Sequence, residues 1–292
     1  MAEKPTIGVL IPTYNPGNAL NRVLEPVMAS ALKPTVLVID SSPRDNTVEV
    51  ARSFGAKVHV IPQPEFNHGA TRELGRRMMG TDIAVMMTQD IVPVGADVIE
   101  CLVAPLLDGR ASVSYARQIP HDGADFMEAF PRLFNYPDKS ELRGQADVAA
   151  LGAYTFFCSN SCAAWSNAAL DAIGGFNRTL SLEDTIAVAK LLRTGHRIAY
   201  CADAVVKHSH HFSLLEEYRR YYDVGFVRSQ YRELLMIGVG DERRGAAFVS
   251  TMLYRLMLEQ PELIPNAMLN STVRWLGYRV GWHSAKPAAR QA

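Results

Sequence analysis

Four apolar runs in the first 90 residues, each separated from the next by a segment of helical periodicity, constrain the fold of this chain more than any other feature. The runs are residues 7–11, 36–40, 58–61 and 83–87. Continuous apolar runs of this length are typical of parallel strands that are buried on both faces of a sheet. Their alternation with helices predicts an α/β fold, with a mostly parallel central sheet flanked by helices and right-handed crossovers between strands.

Helical patterns account for much of the remaining chain. The segment after the first run carries five apolar residues on one helical face, and Pro26 within it predicts a kink or a break. These five residues are Leu20, Val23, Leu24, Val27 and Met28. Residues 181–195 are predicted as a capped helix and residues 197–200 and 204–206 as strands, and the pattern is helical from Ser213 onward.

Polar side chains follow three of the predicted strands, at residues 13–15, 40–42 and 88–90. Because ligands of α/β folds bind at the carboxyl ends of the strands, we expect these segments to form one crevice. Asp40 either caps its own loop or accepts a hydrogen bond from a nucleobase or a ribose hydroxyl. Asp90 is suited to a hard divalent cation that bridges a diphosphate.

Two acidic residues, Glu183 and Asp184, lie at the start of the predicted helix 181–195. Ser181 and Asp184 stand at the spacing of a capping box, and acidic residues in a first turn complement the helix dipole. Alternatively, a carboxylate at a helix start that faces the crevice can act as a general base for a hydroxyl nucleophile. Adjacent residues do not share a helix face, so we expect one of the pair to carry the chemistry.

Two further segments combine groups that bind metals or anions. His208 and His210 follow a strand and fall on one face by alternation, with His211 opposite, so the first two are candidates for metal binding or phosphate contact. Asn67 and Arg72 lie at a helix start, where backbone N–H groups and a guanidinium favour an anion. The alternatives are structural: buried histidines, and a helix cap followed by a surface arginine.

The composition excludes several classes of protein. Basic and acidic side chains balance at 30 each, which disfavours a nucleic-acid-binding protein that relies on bulk charge. The four cysteines lack the spacing of a disulfide framework or a zinc site and indicate reduced thiols in a cytoplasmic protein. The N-terminal residues lack the apolar stretch of a signal peptide. The uncharged window 148–170 contains too many polar groups for a membrane span.

The ordered set of these segments resembles the inverting glycosyltransferases of family 2, which have the GT-A fold, over residues 5–225. The segments that carry the resemblance are residues 11–15, residues 38–47, and residues 174–177 followed by the acidic pair. Similarity to the bacterial rhamnosyltransferase branch, whose members use dTDP-L-rhamnose, rests on residues 66–72, 88–90 and 208–210.

The resemblance implies a catalytic domain over residues 1–227, a helical C-terminal extension over residues 228–292, and a role for each matched side chain. Asp184 would take the proton of the acceptor hydroxyl, and Asp90 with His208 would bind Mg²⁺ or Mn²⁺ on the donor diphosphate. The residues implied in binding the nucleotide sugar are Thr13, Tyr14, Asn15, Asp40, Ser42, Asn67, Arg72, Gln89 and Asp90. The implied reaction moves L-rhamnose onto a glycan or lipid-linked glycan during cell-surface polysaccharide synthesis.

One position departs from the family pattern. Proteins of this fold usually carry Asp-x-Asp, and here Thr88 stands at the first carboxylate position, so metal dependence has to be tested. Three alternatives stay open: a UDP-hexose donor, a sugar nucleotidyltransferase, and an inactive protein that binds nucleotide sugars. The loop of residues 13–17 has no basic residue to receive a triphosphate, which argues against the nucleotidyltransferase.

The C-terminal extension mixes aromatic residues with arginines and holds nine basic and five acidic side chains. Such helices are expected at the inner face of the cell membrane, where a lipid-linked acceptor is presented. The alternatives are helices that pack on the catalytic domain and helices that pair two subunits into a homodimer.

Overall fold

The computed structural model describes residues 4–42, 44–235 and 241–285, and within these ranges nine strands form one sheet. The strands are β1 (Ile7–Thr13), β2 (Thr35–Asp40), β3 (Lys57–Val60), β4 (Ile83–Met87), β5 (Val92–Pro93), β6 (Val113–Ile119), β7 (Glu141–Arg143), β8 (Cys162–Ser166) and β9 (Ile198–Lys207). Their spatial order is β3-β2-β1-β4-β8-β6-β9-β5, and β7 pairs with β9.

Twelve α-helices flank and extend this sheet in the described ranges. They are α1 (Asn21–Ala29), α2 (Thr47–Ser53), α3 (His68–Met79), α4 (Val98–Leu107), α5 (Phe126–Asn135), α6 (Val148–Leu151), α7 (Asn167–Ala172), α8 (Glu183–Arg193), α9 (Leu214–Gln230), α10 (Arg232–Leu235), α11 (Asp241–Glu259) and α12 (Ile264–Ser284).

The predicted α/β fold with a mostly parallel sheet is confirmed. Strands β3, β2, β1 and β4 run parallel, and β8 lies antiparallel between β4 and β6. Alternate residues of each central strand enter different cores. Leu10 and Met86 pack with α7 and α8 on one face, whereas Val9 and Val85 pack with α1 and α4 on the other. Burial on both faces explains the unbroken apolar runs in the sequence.

Two local details differ from the sequence pattern. Met28 lies on the apolar face predicted for the first helix but is 39% exposed, and α1 ends one residue later. The two predicted strands, at residues 197–200 and 204–206, are parts of one strand, β9, which begins at Ile198. The exposed Asp203 is accommodated within it, and the register against β6 shifts between Ala116 and Arg117.

The C-terminal helices pack on the rest of the molecule through α5 and α9. Helices α9 and α12 touch at Gly225, Gly277 and Gly281, where any side chain would overlap a backbone carbonyl of the facing helix. Phe130 of α5 and Leu256 of α11 belong to a separate apolar cluster beneath the extension. Helix α9 continues through the predicted domain boundary at residue 228, so this division stays a prediction.

No helix in the described parts of the chain is long and apolar enough to cross a membrane. All four cysteines are free, and three of them are buried. Pro43 of the predicted nucleotide-binding segment lies outside the described residues.

Candidate active site

A cavity of about 1130 Å³ opens at the carboxyl ends of β1, β2 and β4. The three polar segments expected to form one crevice all reach it, since its lining includes Thr13, Tyr14, Ser41, Thr88, Gln89 and Asp90. Its other walls come from α5, from the loop at residues 157–161, from the histidines after β9, and from α9 and α12. Asn15, Asp40, Ser42, Asn67 and Asp184 are not among the lining residues.

Asp40 lies at the end of β2 under the floor of the cavity. Its Oδ1 accepts a hydrogen bond from Oγ1 of Thr13 at 2.9 Å, and its Oδ2 is buried without a hydrogen-bond partner in the described structure. Burial raises the pKa of Asp40, against the lowering effect of the Thr13 hydroxyl and the Ser42 backbone. An unsatisfied buried acceptor at a strand end is suited to a ligand N–H or hydroxyl.

The loops after β1 and β4 are tied together by Gln89. Its Oε1 accepts from the backbone N–H of Tyr14 at 2.6 Å, and its Nε2 donates to the carbonyl of Tyr14 at 3.1 Å. The side chain of Tyr14 stays exposed at the cavity mouth. Asn15 follows with a positive φ of 49° and does not line the cavity.

Asn67 and Arg72 have separate roles. Asn67 caps α3, because its side chain accepts from the backbone N–H of Ala70 at 3.0 Å and donates to the carbonyl of Thr179 at 2.7 Å. Arg72 lines the cavity but is buried rather than on the surface, and its Nη1 lies 2.8 Å from Oε1 of Glu183. The proposed contact of Arg72 with an anionic ligand therefore competes with an internal ion pair.

The structure separates the two adjacent carboxylates at the start of α8. Glu183 is buried and accepts from Arg72 and from the side-chain amide of Asn160 at 3.1 Å. Asp184 accepts instead from the backbone N–H of Asn160 at 3.1 Å, through Oδ2. Burial and the neighbouring charge of Glu183 raise the pKa of Asp184 to about 7. A carboxylate with this pKa is suited to accept a proton near neutral pH.

The capping box that was the alternative explanation of this pair does not form. The residue before the helix is Leu182, which has a positive φ of 61° and provides no side-chain cap, and Oγ of Ser181 is buried without a hydrogen-bond partner in the described chain. Positive φ is uncommon for a leucine and marks a strained turn. The turn fixes Glu183 and Asp184 in different surroundings.

Asn160 is a site residue that the sequence analysis did not single out. It contacts both acidic residues, and its Oδ1 accepts from the indole N–H of the fully buried Trp165 at 2.8 Å. The signal in the sequence is weak: a polar residue shortly before an apolar strand. The contacts of Asn160 with the acidic pair arise only in the folded protein, where the loop at residues 157–161 packs against the start of α8.

Asp90, His208 and His210 form a cluster whose ligand atoms all lie within 4.8 Å of one another. Oδ1 of Asp90 is 3.5 Å from Nε2 of His208, and Oδ2 is 3.2 Å from Nε2 of His210. The two imidazole Nε2 atoms are 3.0 Å apart. Nδ1 of His208 contacts Oε1 of Gln118 at 2.9 Å, which directs Nε2 toward the cavity.

The protonation of this cluster suits a cation. Burial lowers the pKa of His208 despite the nearby Asp90, and burial together with His208 lowers that of His210 to about 4. Burial alone would raise the pKa of Asp90, but His208, the Thr88 hydroxyl and His210 hold it well below its ordinary value. Two neutral imidazoles and one carboxylate fit a divalent metal. Oδ1 of that carboxylate, on Asp90, is buried and has no hydrogen-bond partner in the described residues.

Comparison with known proteins gives the family. The sequence profile of Glycosyl transferase family 2 matches residues 8–174. The chain belongs to this family. Among curated relatives, the O-antigen chain rhamnosyltransferase RfbN of Salmonella typhimurium strain LT2 is 35% identical over 283 residues, which cover 95% of this chain and 90% of the relative. WbaN of Salmonella anatum, of the same description, is 32% identical and covers 96% and 90%.

Solved structures of other glycosyltransferases share the fold of this family 2 chain. The mannosyltransferase PcManGT of Pyrobaculum calidifontis, in complex with GDP-Man and Mn²⁺, has a TM-score of 0.64 at 16% identity and covers 97% of this chain and 87% of its own. Glucosyl-3-phosphoglycerate synthase of Mycobacterium tuberculosis has a TM-score of 0.51 at 19% identity, with 79% and 78% covered. The expected GT-A fold is therefore confirmed.

The family and the named relatives establish this chain as a glycosyltransferase enzyme. They favour this activity over both the sugar nucleotidyltransferase and the inactive binding protein. The predicted roles of individual site residues stay predictions.

Proposed function

We propose that this enzyme transfers L-rhamnose from dTDP-L-rhamnose to a hydroxyl of a glycan acceptor, with inversion at the anomeric carbon. The observation that carries the proposal is that Glu183 and Asp184 have different partners: Glu183 is paired with Arg72, whereas Asp184 accepts from the backbone of Asn160. This difference leaves Asp184, beside the cavity, with a pKa of about 7. The similarity to RfbN and WbaN, which are named as O-antigen chain rhamnosyltransferases, supports the choice of sugar and of glycan acceptor.

In this proposal Asp184 is the catalytic base. The acceptor oxygen forms a bond to the anomeric carbon while the bond from that carbon to the diphosphate oxygen breaks, and the hydroxyl proton passes to Asp184. Glu183 is unsuited to this step because its charge is already neutralised by Arg72. The backbone N–H of Asn160 holds the Asp184 carboxylate in position.

At the carboxyl ends of β1 and β2, Thr13 and Ser41 lie on the cavity surface above Asp40. The Tyr14–Gln89 contact holds the loops after β1 and β4 at a fixed separation. We propose that this region binds the base and ribose, with the unpartnered Oδ2 of Asp40 as an acceptor. Burial excludes water from these contacts, which strengthens them.

Asp90, His208 and His210 are the residues that would hold Mg²⁺ or Mn²⁺. A divalent cation bound there would offset negative charge on the leaving diphosphate. Thr88 has a hydroxyl where the fold usually has a carboxylate, and His210 would provide the third ligand.

A direct test is transfer to a purified glycan acceptor from dTDP-L-rhamnose and, in parallel, from UDP-glucose, with release of the nucleoside diphosphate as readout. The proposal requires release that depends on acceptor and is faster with the rhamnose donor, and the anomeric configuration of the product checks inversion. Release from UDP-glucose alone would instead identify a UDP-hexose enzyme.

We also propose that α11 and α12 contact the inner face of the cell membrane. Their outer surface carries exposed apolar side chains, which are Tyr254, Met257, Leu258, Met268, Leu269, Trp275, Leu276 and Val280. Exposed apolar residues on a helical extension with excess positive charge are typical of peripheral membrane contact.

Sedimentation with anionic vesicles tests this contact. The triple variant Met257→Ser, Leu258→Ser, Trp275→Ser should lose most of its binding, while Leu107→Ser, an exposed leucine at the end of α4, should bind like the unaltered protein. Equal sedimentation of both variants would contradict membrane contact. A concentration-dependent mass in light scattering that the triple variant abolishes would assign the same surface to a homodimer.

A further inference from the structure

A buried glutamine lies between the metal cluster and the loop at residues 157–161. Gln118, near the end of β6, is 2% exposed. Its Oε1 contacts Nδ1 of His208 at 2.9 Å, and its Nε2 donates to Oγ of Ser159 at 2.9 Å. Burying an amide is costly unless its polar atoms are hydrogen bonded, and here both ends of one amide bind segments that are distant in the chain.

The contact with His208 fixes the tautomer of this imidazole. An amide oxygen can only accept a hydrogen bond, so the ring proton lies on Nδ1 and the lone pair of Nε2 is free for a cation. The backbone supports the contact, because the N–H of His208 donates to the carbonyl of Ile119 at 2.9 Å. Gln118 itself stands opposite Val206 in the ladder of β6 and β9, so the two side chains keep a fixed separation.

The contact with Ser159 acts on Asp184 through one peptide group. The carbonyl of Ser159 and the N–H of Asn160 belong to the same planar unit. That carbonyl accepts from the N–H of Cys162 at 3.2 Å, and that N–H donates to Oδ2 of Asp184 at 3.1 Å. An anchored Ser159 side chain therefore limits the rotation of the peptide group that holds the proposed base.

We propose that Gln118 is a positioning residue that links occupancy of the metal cluster to the placement of Asp184. The inference rests on the proposed function, which assigns His208 to the metal and Asp184 to the base. A cation at Nε2 of His208 draws electron density from the ring and makes the Nδ1 proton a stronger donor. Hydrogen bonds in a chain polarise one another, so the Gln118 amide then donates more strongly to Ser159. Metal binding thereby orders the loop at residues 157–161.

Binding of Mn²⁺ alone, measured by electron paramagnetic resonance, tests the first contact. Gln118→Leu keeps the approximate shape of the side chain without its polar atoms and should weaken Mn²⁺ binding at least about tenfold, the usual cost of losing such a partner. Gln118→Glu restores an acceptor for the Nδ1 proton and should bind Mn²⁺ within about threefold of the unaltered protein. Gln145→Leu, at an exposed glutamine, is the matched control and should change nothing.

Hydrogen exchange of the segment 157–161, followed by mass spectrometry, tests the link itself and needs no turnover. Saturating Mn²⁺ should slow exchange of this segment at least about threefold in the unaltered protein. Ser159→Ala removes the second contact and keeps the first, so the slowing should be lost. Because linkage is reciprocal, this variant should still bind Mn²⁺ within about threefold of the unaltered protein. Gln118→Leu should also lose the slowing when it is saturated with Mn²⁺.

The transferase assay adds a readout that distinguishes positioning from stability alone. At saturating Mn²⁺, Ser159→Ala should lower kcat about fivefold, the effect of one lost hydrogen bond, because the base is less well placed. KM for dTDP-L-rhamnose should stay unchanged, since the donor does not contact this side of the loop. A variant that only destabilised the fold would lower the melting temperature and leave kcat of the folded enzyme unchanged.

The outcomes separate this inference from the proposed function. Unchanged Mn²⁺ affinity in Gln118→Leu would overturn it, and so would exchange that Mn²⁺ does not slow in the unaltered protein. If Gln118→Leu did not fold, Ser159→Ala would decide, because retained slowing in that variant contradicts the link. If the unaltered protein transferred rhamnose but bound no Mn²⁺, the inference fails while the function stands. If Mn²⁺ slows exchange through Gln118 and Ser159 but no sugar is transferred, the proposed reaction fails while the link stands.

Discussion

Arg72 and Glu183 form a buried ion pair, with Nη1 of the arginine 2.8 Å from Oε1 of the glutamate. The pair joins the second turn of α3 to the first turn of α8, and the two residues are 111 positions apart in the chain. It neutralises one of two adjacent carboxylates and leaves the other, Asp184, in a buried site with a raised pKa. In the proposed mechanism, this contact leaves Asp184 rather than Glu183 available as the base.

The ion pair should be important for stability. Glu183→Gln leaves the Arg72 guanidinium buried without a counter-charge, and we expect it to lower the free energy of unfolding by about 3 to 5 kcal/mol in urea titration. Combining Arg72→Met with Glu183→Gln should recover most of the loss, because no buried charge then remains. A single variant as stable as the parent protein would contradict this account.

Asp184→Asn should impair catalysis and leave nucleotide binding unchanged. The amide keeps the shape of the side chain but cannot accept the proton, so kcat should fall by about a hundredfold to ten-thousandfold. Dissociation constants for dTDP, measured by calorimetry, should stay the same because Asp184 is not among the residues that line the cavity. A variant that retained kcat would exclude Asp184 as the base.

The activity should depend on pH through Asp184. Its pKa of about 7 means that the basic form is a minority at pH 6, so kcat/KM should rise about tenfold per pH unit up to about 7 and then level off. The free energy of unfolding should change in the opposite direction and fall as pH rises. The folded state holds this proton more tightly than the unfolded chain, whose carboxyl has an ordinary pKa of 3.8, so the contribution present below pH 4 is lost as pH rises through 7. Asp184→Asn should remove that slope from the unfolding free energy.

The metal cluster predicts a difference between two neighbouring histidines. His210→Gln should weaken Mn²⁺ binding at least about tenfold, since it removes one of three ligands, whereas His211→Gln should not, because His211 faces Asp125 and is largely exposed. Electron paramagnetic resonance of Mn²⁺ titrations measures both. Equal affinities in the two variants would show that His210 is not a ligand.

The contact between α9 and α12 depends on glycine. Gly281→Ala would push its new methyl group into the carbonyl of Tyr222 and force the helices apart, with an expected loss of about 1 to 3 kcal/mol in thermal unfolding. Gly245→Ala on α11 is the matched control: it meets no atom and should be neutral or slightly stabilising. Because α12 forms a wall of the cavity, Gly281→Ala should also reduce transfer activity.

The architecture could be predicted from the sequence because its signals are local. Apolar runs such as residues 36–40 and 83–87 correspond to β2 and β4 almost residue for residue, and parallel strands place the polar segments that follow them at one edge. His208 and His210 could be paired from strand alternation alone. In each case neighbouring residues carry the whole pattern.

Tertiary structure decided what those residues can do. Whether Glu183 or Asp184 is basic depends on Arg72 and on Asn160, and the sequence pattern around the pair fits a capping box equally well. The C-terminal extension had no matched motif, yet Asn270 and Arg274 share a cavity with Thr13. Local periodicity determines strands and helices, whereas ionisation and site membership depend on burial and on charges brought together from distant parts of the chain.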